Sequence, residues 1–395
     1  MTLALPPLAL YIHIPWCERK CPYCDFNSHP LRDTAPDWPA YVRALLHDFD
    51  AEYAQAGGRP IRSVFFGGGT PSLMPPEQVA ALLAALRTCA PFDRAAEITL
   101  EANPGSSEAA RFAAYRAAGV NRLSIGIQSF DDGCLKRLGR IHDGAQARAA
   151  VTAARAAGFD NFNLDLMHGL PGQTATMALA DLDTACDFQP PHLSWYQLTL
   201  EPNTPFHRQP PPLPDADTLE HIVLAGARLL RARGWRQYEV SAWARPRHQC
   251  RHNQNYWRFG DYLGIGAGAH GKLSLGDGRI LRRWKPKLPR EYLARAAARQ
   301  PLAAGEQWLT PTDARFEFLL NGLRLRAGVP EGLLARAGLH PKDMQQHLAP
   351  LSARGLVHCT GGRIRASALG YAHLNAVLRE LLPTCAAENH NPQTA

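Results

Sequence analysis

The sequence predicts an α/β fold: a partial (β/α)6 TIM-like barrel, then an α/β extension and a small winged-helix-like C-terminal domain. Three observations predict it. Across the first two hundred residues, short apolar segments alternate with Ala-rich helical stretches, the pattern of parallel βα units. Within those segments apolar residues alternate with polar or small ones, so one side of each strand suits helices and the other does not. Beyond about residue 300 the pattern changes to three helical stretches followed by a hairpin.

The predicted strands run, in order, over Leu10–Ile14, Arg62–Phe66, Glu97–Ala102, Arg122–Ile127, Asn161–Met167 and Leu193–Leu200. In the third, Ile98, Leu100 and Ala102 oppose Glu97, Thr99, Glu101 and Asn103. In the fourth, Leu123, Ile125 and Ile127 oppose Ser124, Gly126 and Gln128. In the fifth, Phe162, Leu164 and Leu166 oppose Asn161, Asn163 and Asp165. The apolar sets belong against the helices, which leaves a polar or small interior. A closed eight-stranded barrel fills its interior with branched apolar residues, so a polar interior implies an open lumen that holds a polar ligand. An antiparallel sheet with one solvated face is the alternative, and the helical stretches between the strands count against it. Catalytic and binding residues of such folds sit at the C-terminal strand ends. There the sequence places Cys17, Gly67-Gly68-Gly69-Thr70-Pro71, Asn103-Pro104, Gln128, Asp165 to Pro171, and Glu201-Pro202.

A proline-rich link (210–214) leads to a helix over 218–233 and a strand-like stretch over 238–243. Helical stretches follow over 313–325, 330–337 and 341–354, then a hairpin over 356–364 turning at Gly361-Gly362. The expected division is 1–240 for the barrel, 241–300 for the extension, 301–385 for the C-terminal domain and 386–395 for a disordered tail.

Composition narrows the class. At 395 residues and 46% hydrophobic, the chain can bury a large core. It lacks the roughly 18 uninterrupted apolar residues of a membrane span, and its apolar start lacks a basic n-region, which predicts a cytoplasmic protein. The net charge of +8 comes from arginines scattered among alanines, as in the run from Arg148 to Gly158, so no nucleic-acid partner is expected. Three of nine cysteines cluster, while Cys89, Cys134, Cys186, Cys250, Cys359 and Cys385 are scattered, which is not a disulfide framework.

Cys17, Cys21 and Cys24 carry the chemistry. Thiols three and two residues apart can hold three irons of a 4Fe-4S cube and leave the fourth open, whereas a purely structural cluster takes four cysteines. A zinc knuckle with His29 as fourth ligand is the alternative. The spacing resembles that of radical S-adenosylmethionine (SAM) enzymes, whose open iron chelates the methionine end of SAM. The triglycine brings bare backbone close to a ligand, with its carbonyls and amides available to the SAM amino group. Tyr11 and Tyr23 flank the thiols as contacts for SAM, Glu101, Gln128 and Asp165 are inward acceptors, and Arg140 suits its carboxylate.

Over roughly residues 8–275 the chain resembles the anaerobic coproporphyrinogen III oxidase family of radical SAM proteins, in its YIHIPWC, FGGGTPS, EANP, GIQSF and DLMHGLPGQT segments. The resemblance implies a SAM site lined by Tyr11, Tyr23, Gly68, Gly69, Thr70, Glu101, Gln128, Arg140 and Asp165, with the 4Fe-4S cluster on the three cysteines. One position departs from the oxidases, which carry a fourth cysteine where this chain has Phe26. The three-cysteine form followed by a DFNSH-like sequence, with an HNxxYW motif (here His252 to Trp257), is similar to the heme-chaperone branch of the family. That branch implies heme binding. His252 suits the iron, with Cys250 or another histidine as rivals. Tyr256 and Trp257 offer apolar contact, and Arg247, Arg251 or Arg258 suit the propionates.

The function so predicted is transfer of heme to an unidentified acceptor protein, with an electron donor, a membrane-bound acceptor and a homodimer as further partners. Oxygen-independent coproporphyrinogen III oxidation is the alternative, and no residue is assigned a catalytic role.

Overall fold

A computed structural model describes residues 5–31 and 35–383; Cys385 and the tail expected over 386–395 lie outside them. The six predicted strands form as β1 (Leu8–Ile14), β2 (Ile61–Gly68), β3 (Phe92–Ala102), β4 (Arg122–Gln128), β5 (Phe162–His168) and β6 (His192–Gln197). They are mutually parallel and neighbour one another in chain order. Helices α1 (Trp38–Tyr53), α2 (Pro76–Cys89), α3 (Phe112–Ala117), α4 (Asp132–Arg137), α5 (Gly144–Ala156), α6 (Ala175–Asp187) and α7 (Ala216–Ala232) connect or follow them. Their starts are written locally. Asp37, Asp131, Thr174 and Asp215 each accept a backbone N–H of the first turn, and Asp143 with Gln146 closes a capping box on α5.

Period two decides what the sheet buries. Leu10, Ile12, Val64, Phe66, Leu100, Leu123, Ile125, Leu164 and Leu166 are all fully buried in one apolar cluster with Leu45, Phe49, Leu82 and Val151 from the helices. At about 25 cal/mol per Å2 of apolar surface removed from water, this layer is the main stabilising term of the barrel. The opposite set lines the lumen as a polar network. Asn163 donates to Ser124 Oγ and Asp165, both at 2.8 Å, and accepts from Ser194. His192 bridges Asn163 and the Tyr238 hydroxyl. These buried polar residues of the lumen are hydrogen-bonded, as burial requires, whereas Thr99 Oγ1 and Asn161 Oδ1 have no partner among the described residues.

The sheet is larger than predicted. On the β6 edge it gains two short antiparallel strands, β7 (Arg236–Gln237) and β8 (Ala242–Ala244), where one strand over 238–243 was expected. On the β1 edge a seventh parallel strand, β9 (Asp261–Ile265), pairs Leu8 with Asp261 and Tyr11 with Gly264. The meander β10 (His270–Ser274), β11 (Ile280–Trp284) and β12 (Gly305–Trp308) continues from it. The small-residue run over 264–271 serves close backbone packing: a Cβ on Gly264 would sit 2.0 Å from the His270 carbonyl oxygen. Buried Asp261 fastens this edge, bonded to Arg59 at 2.8 Å and Lys272 at 2.7 Å. Between β8 and β9 lies a short helix, α8 (Arg251–Trp257), which carries the HNxxYW motif, and α9 (Pro289–Ala297) packs beside α1.

Beyond β12 come α10 (Pro311–Gly322), a 3-10 turn (Glu331–Ala337), α11 (Pro341–Ala353), and a three-stranded sheet of β13 (Val329–Pro330), β14 (Val357–Thr360) and β15 (Arg363–Ala366). Gly361 and Gly362 turn the hairpin with φ of 62° and 68°, the left-handed pair that a two-residue loop demands. Phe318, Leu334, Met344, Leu348, Val357 and Ile364 form a second core, which also takes in Tyr238 and Phe259.

Candidate functional site

At the C-terminal ends of β1 to β5 lies a cavity of about 290 Å3, close to the lower bound of roughly 300 Å3 usual for small-molecule sites. It is lined by Cys17, Cys21, Cys24, Tyr23, Gly68, Gly69, Thr70, Glu101, Gln128, Arg140 and Asp165. Every residue expected at the cluster and SAM site is here except Tyr11. His29 is elsewhere: its Nε2 lies 3.2 Å from the Lys287 carbonyl. Among the described residues no three His, Cys, Asp or Glu side chains, the three thiols included, gather around one ion position, and His29 is not in the lining of this cavity.

The glycines are required by close approach. A Cβ on Gly69 would lie 2.4 Å from the Trp16 carbonyl oxygen, and one on Gly68, at φ 122°, would lie 2.7 Å from His13. The amides, however, are spent within the protein. Gly69 N–H donates to Ile14 and Thr70 N–H to Trp16, at 2.8 and 2.7 Å. These bonds tie the β2 end to the backbone just before Cys17. Gln128 is the second special backbone. An irregular register between β4 and β5 puts it at φ 67°, an unusual value for a residue with a side chain. Its Oε1 accepts from the Tyr196 hydroxyl at 2.8 Å, at the cavity wall.

The electrostatics fit a zwitterionic, cationic ligand beside a metal cluster. Glu101 and Asp165 face the same space. Burial, and next the nearby Asp165, push the Glu101 carboxyl up to about 8. Burial raises Asp165 as well, against hydrogen bonds from Asn163 and Ser124. Two carboxyls short of positive partners are complemented by an ammonium, a sulfonium or ribose hydroxyls. On the other wall Arg140 donates to Asn103 Oδ1 at 2.7 Å and to the Gly126 carbonyl at 3.1 Å, and approaches Cys21 Sγ at 3.6 Å, while its buried Nε has no partner. That donor suits a carboxylate. Burial pushes the Cys17 thiol up to about 11 and raises Cys24; iron binding would take both as thiolates.

The segment after the cysteines forms a partition. Lys20 donates to the Phe26 and Ser28 carbonyls. The Asn27 amide donates to the Ala267 and Lys287 carbonyls at 3.1 and 2.9 Å, and the Asn27 carbonyl lies 2.8 Å from His13 Nε2. Behind it opens a second cavity of about 940 Å3, with Lys20, Phe26, Ser28, Gly68 and Glu101 common to both. Phe26, which stands where the oxidases have a cysteine, is 65% exposed.

His252, Tyr256 and Trp257 line this second cavity together, with Phe65, His13 and His270. Tyr11 is here too. Its mid-strand position places the ring below the triglycine, 6.4 Å from the rings of Phe65 and His252, which separates it from the SAM residues it was grouped with. His252 is 8% exposed, with Nδ1 at 3.2 Å from Ser63 Oγ and no partner for Nε2 among the described residues. Burial, and then Arg122, hold its imidazole neutral, with a pKa lowered to about 3. Glu97 fixes the helix start, accepting from the Arg251 N–H at 2.8 Å and the His252 N–H at 3.3 Å. The rivals differ: Cys250 is fully buried against Glu97, both His13 nitrogens are engaged, and His270 has no hydrogen-bond partner among the described residues. Arg247, Arg251 and Arg258 point away from this cavity and line a different one on the far side of α8.

Residue reading placed Asn103 at a strand end without a role, and missed Tyr196, His13, Phe65, Ser63, His270 and Lys287 as site residues. Period two along LALYIHI would have found His13, which shares a strand face with Tyr11. The β9–β10 residues carried no local signal.

A radical SAM superfamily model matches residues 11–185 and a HemN C-terminal domain model matches residues 309–373. The chain is 48% identical over 379 residues to the heme chaperone HemW of Escherichia coli, covering 96% of this chain and 99% of that one. It is 51% identical to heme chaperone HemW of Haemophilus influenzae, over 83% and 85% of the two chains. Among solved structures, coproporphyrinogen III oxidase (HemN) of Escherichia coli, a radical SAM enzyme, superposes with a TM-score of 0.79 at 25% identity, over 95% and 90% of the chains. By identity over nearly its whole length, with both domain models in the expected order, the chain belongs to the HemW family of radical SAM proteins.

Proposed function

We propose that this protein is a heme chaperone. In this reading it binds heme in the larger cavity, holds a 4Fe-4S cluster on Cys17, Cys21 and Cys24 with SAM in the smaller one, and passes heme to an acceptor protein. The observation that carries it is the larger cavity, about three times the volume of its neighbour. A neutral imidazole there keeps one nitrogen on Ser63 and the other free, beside aromatic faces. Neutral imidazole is a common heme ligand. Ser63 and Glu97 orient His252; Tyr11, Phe65, Tyr256 and Trp257 exclude water from a macrocycle; Lys287 at the mouth meets carboxylates. When bound, the cluster and SAM supply one-electron reduction of the sulfonium. Tyr23, Gly68, Gly69, Thr70, Glu101, Gln128, Arg140 and Asp165 orient SAM for it.

An electron donor, a membrane-bound acceptor, a homodimer and a cytoplasmic setting complete the proposal; among the described residues no helix is long and apolar enough to cross a membrane. The division at 240 and 300 is likewise proposed. Hemin titration of anaerobically purified protein, with His252→Ala alongside, tests the function: no Soret shift in the wild type removes it. The oxidase alternative draws on the fold shared with the HemN enzyme. Formation of protoporphyrinogen from coproporphyrinogen III, SAM and a reductant would establish it.

A further inference from the structure

A third cavity, of about 690 Å3, opens at the opposite end of the barrel, where Pro7, Arg62 and Asp93 mark the N-terminal ends of β1, β2 and β3. One wall is the outer face of α8 and the other comes from the C-terminal unit. Six arginines line it: Arg62, Arg247, Arg251, Arg258, Arg336 and Arg363. Asp93 is the one carboxylate of the lining, and among the described residues none of the six arginines makes an ion pair. Elsewhere this chain pairs its clustered arginines, as Arg282 with Glu317 and Arg283 with Glu52 and Glu306. Here six guanidiniums converge on a single carboxylate, and none is paired with it.

Two of the six are fixed. Arg251 donates to the Ala95 carbonyl at 2.6 Å, and Arg363 donates to the Ala327 and Gly328 carbonyls at 2.8 Å each. The guanidiniums of Arg62, Arg247, Arg258 and Arg336 have no hydrogen-bond partner among the described residues, so their forks are free for an incoming anion. Burial and the nearby Arg363 lower the Arg258 pKa, the direction expected where positive charge is crowded. Arg247 is held at φ 70°, a strained backbone of the kind that clusters at binding sites.

We propose that this basin binds a small oligophosphate anion, as pyrophosphate or as the phosphate chain of a nucleotide. Guanidinium forks match phosphate oxygens bidentately, and several around one cavity suit a ligand carrying several charges. An acidic peptide needs apolar anchors, and the lining offers only Pro7, Pro330 and Leu333. The proposal is independent of heme binding, because α8 turns His252 to the other side.

Isothermal titration of the full-length, heme-free protein with tripolyphosphate, pyrophosphate, ATP and sulfate tests it. Tripolyphosphate should bind at one site, more weakly as salt rises, and Arg62→Ala and Arg258→Ala should each weaken it about tenfold. Circular dichroism establishes that both variants are folded, and Arg279→Ala, remote and exposed, should leave the affinity unchanged. Binding of ATP in step with tripolyphosphate identifies a nucleotide phosphate chain, and binding of the inorganic anions alone identifies a free oligophosphate. Equal affinity for sulfate, tighter binding of a poly-glutamate peptide, or undiminished binding in folded Arg258→Ala overturns the proposal.

Discussion

Ser63→Ala is a sharp test of the heme site, because it leaves His252 in place and removes only what holds it. The Ser63 hydroxyl lies 3.2 Å from His252 Nδ1, the nitrogen turned away from the cavity, and both residues are buried. Removing the outer partner of a metal-ligating histidine costs about 10–100-fold in metal affinity. Hemin should therefore bind Ser63→Ala about tenfold more weakly, with a Soret band still typical of imidazole ligation, whereas His252→Ala should lose that band. The assay is anaerobic hemin titration followed optically, with near-ultraviolet dichroism to establish that packing is intact. A Ser63→Ala dissociation constant within a factor of two of wild type, in a folded protein, would refute the assignment of His252 as the ligand held through Nδ1.

Three further outcomes are expected. Gly69→Ala should prevent reconstitution of the cluster, read as bound iron and visible absorbance, because its Cβ would meet the Trp16 carbonyl at 2.4 Å and push apart the backbone bonds that seat Cys17; full iron loading would contradict this. Glu101 has a folded-state pKa of about 8 against the usual 4.5. The folded protein thus keeps a proton that the unfolded chain loses, and ligand-free stability should fall as pH rises from 4.5 to 8. Glu101→Gln should flatten that slope in Tm and weaken SAM binding, and parallel Tm curves would exclude the effect. Lys287→Ala should weaken hemin but not hemin dimethyl ester, compared by the same optical titration. An equal loss for both would remove Lys287 from contact with the propionates.

Much of the barrel was legible because strand identity and facing depend on neighbours one and two residues away. Ile98, Leu100 and Leu164 declare the helix side and Glu101 and Asp165 the lumen through alternation alone, and the three cysteines lie on one short loop. Depth along a strand was harder to read. Tyr11 and Gly68 belong to adjacent strands, yet mid-strand placement carries the Tyr11 ring into the second cavity. Facing around α8 was readable in principle: Arg251, Asn255 and Arg258 fall on one helical face and His252 and Tyr256 on another, which takes the arginines away from heme. What no local pattern contains is the pairing of β9 with β1, because a parallel partner can lie at any distance along the chain. The same holds for His270 and Lys287, which reach the cavity only through that pairing.

That pairing also sets a timetable for synthesis. Leu8 has one strand neighbour at Ile61 and the other at Asp261, so one edge of β1 stays open while about 250 further residues emerge. At about 5–20 residues per second this takes roughly 13–50 s. Throughout it the edge strand leading to the cysteine loop presents unpaired N–H and C=O groups, the condition that invites wrong pairing. The Asn27 side-chain amide, which closes that loop through the Ala267 and Lys287 carbonyls, likewise lacks these partners until then. The cysteine loop is thus completed late, and a ribosome-bound chain truncated before residue 261 would carry all three thiols without the strand and carbonyls that fasten their loop.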